Sequence, residues 1–405
     1  MGVTMHEPSA GGLKRTEFDL PDGVVYLDGN SLGPLPKAVA GRVGNAVKAE
    51  WAEMLIRGWN QAGWIDLPAK AAAKIARLIG APDSSVMVGD STSINLFKAL
   101  NAALDLMPER SVILSDSGNF PTDLYIAQGV AGARRGCALK VVAPEAVADA
   151  IDETVGVMML TEVDYRTGRL HDMKALTERA HGAGALALWD LAHSAGALPV
   201  DLSGAGADFA VGCGYKYLNG GPGAPAFIHV RPDHAERVGP RLSGWLGHEA
   251  PFAFDPDYRP AEGIQRMMVG TPPVLSLSAL DTALDLWTDV DLDEIRSHSI
   301  ALSELFIREV EAQCAGFELT LASPREPARR GSQVSFRHAE GYAVMQALIA
   351  GNVIGDFRAP DLIRFGFAPL YNNNDDVLAA AGALARILRD RLWDNETFKT
   401  RAKVT

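Results

Sequence analysis

An α/β fold, with a mainly parallel sheet in a large domain and a smaller α+β domain beyond it, is predicted by three observations on this 405-residue sequence. The length exceeds what one hydrophobic core usually serves, so a large domain with a companion is expected. From residue 67 helical patterns alternate with short apolar runs, the pattern of helices crossing over between parallel strands. After Thr271-Pro272-Pro273 the strand signals thin out across two long amphipathic segments, and short strands then interleave with helices. The expected parts are residues 1–60, packing with the small domain, 61–280 as the large domain, and 281–405 as the small one.

Composition narrows the class. With 47% hydrophobic and 22% charged residues the chain reads as an ordinary globular protein. A net charge of -12 without a concentrated basic face argues against nucleic acid or an anionic membrane as partner. Cys137, Cys213 and Cys314 are far apart and lack metal-ligand spacing, which suits structural thiols in a reducing compartment and predicts no metal site. The opening residues MGVTMHEPSAGGLKR carry no apolar core for a signal peptide. The longest apolar stretch, 180–200, is interrupted by Asp190, His193 and Pro199, so a cytoplasmic protein is expected.

Taken in order, Val24 to Leu27 is a short apolar run that stops at a polar loop, Asp28 to Pro34. Residues 36–56 read as one helix, with Val39, Val43, Val47, Trp51 and Leu55 on one face. Trp59 and Trp64 follow among polar residues, and two readings stand: core aromatics, or a wall for a flat ligand. Val86-Met87-Val88 is a strand that breaks at Gly89-Asp90-Ser91-Thr92-Ser93 before a helix over 94–106. An N-cap explains one of those small polar residues; a run of them at a helix start suits a phosphate. Neither a Walker loop nor a dinucleotide glycine fingerprint is present, so a single or mononucleotide-like phosphate is the better expectation. Strands over 112–114, 155–160 and 185–189 run into Ser117 to Asp123, Thr161 to Asp164 and Asp190 to His193, with a helix over 173–182. Ligands gather at the carboxyl ends of parallel strands, where Thr92, Asp123, Thr161, Asp190, His193 and Lys216 are expected to meet.

Lys216 lies where the apolar run from Phe209 gives way to Gly214-Tyr215-Lys216-Tyr217 and a glycine-rich turn. Burying an ammonium removes its hydration and eases loss of its proton, which suits a lysine that forms a Schiff base with an aldehyde. The plainer reading is a side chain that snorkels out of a strand end. Asp190 closes a wholly apolar strand and needs a cation or several donors, unless it simply caps the next turn. His193 by itself reads as a turn or core hydrogen-bonding residue. A pyridine nitrogen on Asp190, an aldehyde on Lys216 and a phosphate on residues 91–93 are explained together by one ligand, pyridoxal 5'-phosphate.

The blocks LDGNSLG (27–33), NFPTDLY (119–125), WDLAHSAGALPVDL (189–202), GYKYLNGGPG (214–223), LSGWLGH (242–248) and RFGFAPLYN (364–372) resemble the kynureninase family, in the fold-type I, class V aminotransferase-like group. The resemblance runs from about residue 20 to the C-terminal region. It implies a catalytic set of Lys216, Tyr215 and Asp190: Lys216 binds the cofactor aldehyde and removes the substrate α-proton, and Asp190 holds the ring nitrogen, with His193 beside it. It further implies cofactor contacts from Thr92, Ser93 and Tyr215 at the phosphate, from Phe120, Pro121, Thr122 and Asp123 along the ring, and from Thr161. Trp245 and Thr271 match residues that the family supplies from a second subunit, which implies a homodimer with shared active sites. Arg364 matches the arginine for the substrate α-carboxylate, and Ser31 and Trp59 fall at substrate contacts. The implied reaction is hydrolysis of L-kynurenine to anthranilate and L-alanine. Relatives that favour 3-hydroxykynurenine carry histidine and asparagine where Trp59 and Thr271 stand, so the unhydroxylated substrate is expected to be preferred.

In the remainder, amphipathic segments over 275–287 and 292–314 precede strands over 317–321, 333–336, 353–357 and 362–365, with helices over 341–350 and 375–393. Residues 395–405 read as a solvated tail. The rival enzyme on such a scaffold is a cysteine desulfurase or an aminotransferase. A desulfurase needs a mobile reactive cysteine, which neither Cys314 nor Cys137 resembles. A protein that binds the cofactor without turnover is the rival outside catalysis.

Overall fold

Seven strands form the central sheet in a computed structural model that describes residues 12–401. Residues 1–11 of the opening stretch and 402–405 of the tail lie outside the described residues. In chain order the strands are β1 (Val86–Val88), β2 (Val112–Asp116), β3 (Ala138–Val142), β4 (Val155–Thr161), β5 (Leu186–Asp190), β6 (Phe209–Gly212) and β7 (Phe227–Val230). Their spatial order is β1-β7-β6-β5-β4-β2-β3. Only β7 runs antiparallel to its neighbours β1 and β6. Strand β3 escaped the sequence reading because its side chains are partly exposed at the sheet edge and alternate Leu139, Lys140 and Val141.

Helices α1 (Thr92–Leu106), α2 (Pro121–Ala133) and α3 (Met173–Gly182) make crossovers. Leu96 and Leu100 of α1 share one core with Ile113, Val157, Leu188, Val211 and Ile228 of the sheet. Each such side chain, once buried, contributes about 1.5–3 kcal/mol. Apart from the edge strand β3, the strands are buried on both faces, so they read as continuous apolar runs with polar residues pushed to the ends.

The sheet belongs to one of two compact units, residues 38–165 with 171–288. The sequence groups residues 1–60 with the small domain, whereas the segment after Lys37 lies in the sheet's unit. There Trp64 is buried, its ring carbons 2.6–2.8 Å from where a Cβ on Gly58 would sit, and its Nε1 donates to Glu50 at 2.7 Å. The single helix expected over 36–56 divides into an α-helix, Lys37–Asn45, a π-helical stretch, Ala46–Met54, and a short 3₁₀ turn, Leu55–Arg57. Wider π turns rotate the later side chains off the predicted face. Val39 is buried, but Val47, Trp51, Leu55 and Ile56 are 38%, 57%, 60% and 76% exposed. Helix α4 (Val274–Leu284) closes this unit.

The other unit takes residues through Lys37, Arg166–Leu170 and Asp289 onward. Helix α5 (Leu292–Gln313) leads into β8 (Thr320–Leu321) and β9 (Gln333–Arg337); α6 (Gly341–Ala350), β10 (Asp356–Arg358), β11 (Leu362–Gly366) and α7 (Asn374–Arg389) follow. The antiparallel sheet order is β8-β9-β11-β10. Phe306 of α5 anchors its core, with ring centroids 4.8 Å from Phe365 and 5.4 Å from Phe367. Val25–Tyr26 pairs in parallel with Val353–Ile354, which carries the loop starting at Asp28 onto this unit. The stretch expected to be one strand over 353–357 is two short ones, interrupted at Gly355, where a Cβ would lie 2.7 Å from the Arg364 carbonyl oxygen.

Candidate active site

In the sheet's unit, Lys216 follows β6 within a turn that glycine makes possible. A Cβ on Gly214 would lie 2.6 Å from the Pro225 carbonyl oxygen. The turn closes with the Gly220 N–H donating to the Gly214 carbonyl at 2.8 Å. Lys216 Nζ then lies 3.0 Å from His193 Nε2 and 6.0 Å and 5.8 Å from the ring centroids of Phe120 and Tyr215. Phe120 is itself braced edge-on by Tyr165, at 5.0 Å.

Asp190 ends β5, and Asp123 sits in the first turn of α2, which Pro121 and Thr122 begin. Both carboxyl groups are buried and close enough to perturb each other. Asp190 Oδ1 also accepts the Ala192 N–H at 2.6 Å. Burial pushes both groups above the usual carboxylate range. For Asp123 the negative neighbour Asp190 adds to the shift, whereas for Asp190 the Lys216 ammonium opposes it. Asp123 Oδ2 is buried with no hydrogen-bond partner. Two adjoining carboxylates and a buried lone oxygen make a place for a cationic N–H, as a protonated pyridine ring supplies. Sequence reasoning found both acids but not their pairing, because 67 residues separate a helix start from a strand end that the topology alone brings together.

Thr92 and Ser93 occupy the first turn of the 15-residue α1, which Ser91 caps by accepting the Ile94 N–H at 3.4 Å. The preceding Asp90 has φ 55°, a left-handed conformation unusual for aspartate. Lys98, on the next turns of α1 and buried, holds it by an ion pair of 2.7 Å and also donates to the Met267 carbonyl at 2.8 Å. Lys98 was missed: in a helix interior it reads as a surface residue. Thr161, at the end of β4, donates its hydroxyl to the Val163 carbonyl at 3.1 Å. The residues present fit pyridoxal 5'-phosphate: a lysine for the aldehyde, an acid pair for the ring nitrogen, and a polar helix start for the phosphate.

Trp59 packs edge-on against Trp64 at 5.8 Å, so one tryptophan is core and the other flanks it. Trp245 is 39% exposed and meets Phe252 at 5.6 Å, and Thr271 is exposed just before α4.

The second group lies wholly in the other unit. Arg364, 1% exposed, donates Nε to Asp356 Oδ1 at 2.8 Å and Nη2 both to Asp356 Oδ2 and to Ser31 Oγ, the last at 2.9 Å. Ser31 in turn donates to Asp356 Oδ2 at 2.7 Å, and Arg358 Nη2 reaches the same oxygen at 2.6 Å. With its amide oxygen turned toward Arg364, Asn30 accepts from Nε and Nη2 at 2.9 and 3.1 Å. Sequence reasoning found Arg364 and Ser31 but not Asp28, Asn30, Asp356 or Arg358. A signal existed: Asp356 and Arg364 flank the tight turn at 359–361 and face each other directly across the β10–β11 hairpin.

Comparison with known proteins bears on both groups. Residues 295–384 match the kynureninase C-terminal domain. A kynureninase of Pseudomonas fluorescens is 52% identical over 397 residues, covering 96% of this chain and 95% of the relative. Kynureninases of Burkholderia mallei and Burkholderia pseudomallei are 51% identical with the same coverage. The chain belongs to the kynureninase family. Its fold is that of fold-type I enzymes dependent on pyridoxal phosphate. The C-DES protein with glycine covalently linked to its PLP cofactor superposes with a TM-score of 0.78 at 18% identity, covering 92% of this chain and 99% of that one. A cysteine desulfurase of Thermococcus onnurineus gives 0.76 at 18% identity, covering 93% and 97%. At such identities these two share the kynureninase-family chain's fold and nothing finer.

Proposed function

We propose that this chain hydrolyses L-kynurenine with water to anthranilate and L-alanine, using pyridoxal 5'-phosphate. The observation that carries the reading is Lys216, 3.0 Å from His193, in the same unit as the buried Asp190–Asp123 pair, in a chain about half identical to kynureninases along nearly its whole length. When bound, the cofactor supplies an electron sink for the substrate's α- and β-carbons. Asp190, backed by Asp123, keeps the ring nitrogen protonated. Lys216 Nζ would take the proton from the substrate α-carbon. Water adds at the γ-carbonyl carbon, the bond between the β- and γ-carbons breaks, and the acyl part leaves as anthranilate while the three-carbon part becomes alanine. Phe120 and Tyr215 flank the lysine, Thr92, Ser93 and the neighbouring backbone hold the phosphate, and Pro121, Thr122, Thr161 and His193 complete the cofactor's surroundings.

Arg364 receives the substrate α-carboxylate, its guanidinium plane set by Asp356 and its neighbour Ser31 sharing the contact. Trp59 and Thr271 lack the polar contact a ring hydroxyl would want, so L-kynurenine is preferred over its 3-hydroxy derivative. The active assembly is a homodimer in which Trp245 and Thr271 complete the partner's site. The exposed Val47, Trp51, Leu55 and Ile56 support an apolar contact of this kind. The cytoplasm is the proposed compartment; among the described residues no helix is long and apolar enough to cross a membrane.

A desulfurase reading is disfavoured by the thiols. Cys314 is buried and its pKa is pushed up to about 11 by that burial, and burial raises Cys213 as well, the reverse of an activated nucleophile. The test is fluorescence of anthranilate released from L-kynurenine by the enzyme and by Lys216→Ala. Release by the first and none by the second supports the reading; equal rates would remove Lys216 from it.

A further inference from the structure

The charged groups around Ser31 balance one another only until a substrate carboxylate joins them. Asp356 is saturated: Arg364 Nε binds Oδ1, while Arg364 Nη2, Arg358 Nη2 and the Ser31 hydroxyl all bind Oδ2. Asp28, on the loop entering from Val25–Tyr26, stands beside the same serine, but the single Ser31 proton is already given to Asp356. Asp28 Oδ1 is buried without a hydrogen-bond partner. The Tyr26 phenol, whose own ionisation burial and the Asp28 charge oppose, is also near it, and the Tyr371 hydroxyl packs against the adjacent Gly29. Two guanidiniums and two ionised carboxylates sum to zero. A third carboxylate, arriving with a substrate, would leave the cluster with a net negative charge in a poorly hydrated place. Protonating Asp28 restores neutrality.

We propose that Asp28 is a positioning residue that takes up a proton as an amino acid's α-carboxylate docks on Arg364, so that substrate binding and protonation of Asp28 are one coupled event. This rests on the reading of Arg364 as the carboxylate contact. Asp28 is suited to the exchange near neutral pH, because burial first and the Asp356 charge second raise its pKa to about 7, against the pull of Arg364. Below that pH Asp28 is already neutral and affinity is flat. Above it the free protein must gain a proton to bind, so affinity for a carboxylate-bearing ligand falls by up to about tenfold per pH unit.

The experiment is calorimetric titration of the holoenzyme with L-alanine at about pH 8, one unit above the Asp28 pKa, in buffers of different ionisation enthalpy, which counts protons taken up. Wild-type protein is expected to take up close to one proton more than Asp28→Asn, and the difference should vanish with L-alaninamide, which has no carboxylate. Asp28→Ser provides a second variant should the first fold poorly. Equal proton uptake by wild type and both variants, with L-alanine binding weakened in Arg364→Lys, overturns the role of Asp28 alone. Unweakened L-alanine binding by Arg364→Lys overturns the carboxylate reading beneath it.

Discussion

In the proposed reading Asp190 and Arg364 carry separable duties, and their substitutions should fail differently. Asp190→Ala removes the partner of the ring nitrogen and leaves Asp123 buried alone, so turnover should largely disappear while the protein still folds; near-normal kcat for this variant would contradict its role. Arg364→Lys loses the two-pronged donor and its fit to Asp356. Hydrogen bonds to charged groups are worth about 1.5–3 kcal/mol, so kcat/KM should fall about 10- to 100-fold, with KM carrying most of it. Asp28 adds a stability prediction with a definite sign. Its folded-state pKa, about 7, lies above the ordinary value of 3.8, so the folded protein binds the extra proton across that interval. Stability contributed by the protonated form is therefore lost as pH rises toward 7 and beyond. Asp28→Asn should raise Tm above pH 7 by a few degrees relative to its effect at pH 5, as thermal scans at the two pH values can show.

At the scale of elements, the turn into α1 is clamped by a residue outside the proposed phosphate contacts. Lys98 clamps Asp90 in its left-handed conformation, and Asp90 leads directly into Ser91, Thr92 and Ser93. Lys98→Met should weaken cofactor retention roughly tenfold, the equivalent of about 1.4 kcal/mol, measured as the cofactor's dissociation constant by absorbance; unchanged retention would make Lys98 merely structural. Elements with unbroken apolar runs, such as β4 and β5, were legible in the sequence, as were α3 and α6, whose observed bounds coincide with the expected ones. Less legible was the segment after Lys37, where valines four residues apart imply an α-helical face but the backbone takes π turns. Periodicity reports only the faces of regular helices, and it cannot register a change of helix type. Of the site, Lys216 and Asp190 stood out because charges at the ends of apolar runs are conspicuous, whereas Arg364, inside β11, was legible only through the family resemblance. The acid pair and the Asp28–Asp356–Arg358 surroundings depend on pairings between distant segments, which no local pattern reports.

For the whole molecule, the exposed row of Val47, Trp51, Leu55 and Ile56 makes the proposed dimer testable. Trp51→Glu should shift the light-scattering mass from dimer toward monomer and lower activity in parallel, because each site would lose the partner's Trp245 and Thr271. A monomeric variant with full activity would show the sites to be self-contained. Preference for the unhydroxylated substrate should appear as a higher kcat/KM for L-kynurenine than for the 3-hydroxy compound. The central claim is tested most directly by product analysis of the purified holoenzyme given L-kynurenine. The account predicts anthranilate and L-alanine in equal amounts, with neither formed by Lys216→Ala. A keto acid in place of alanine, or sulfur release from cysteine without any anthranilate, would contradict it.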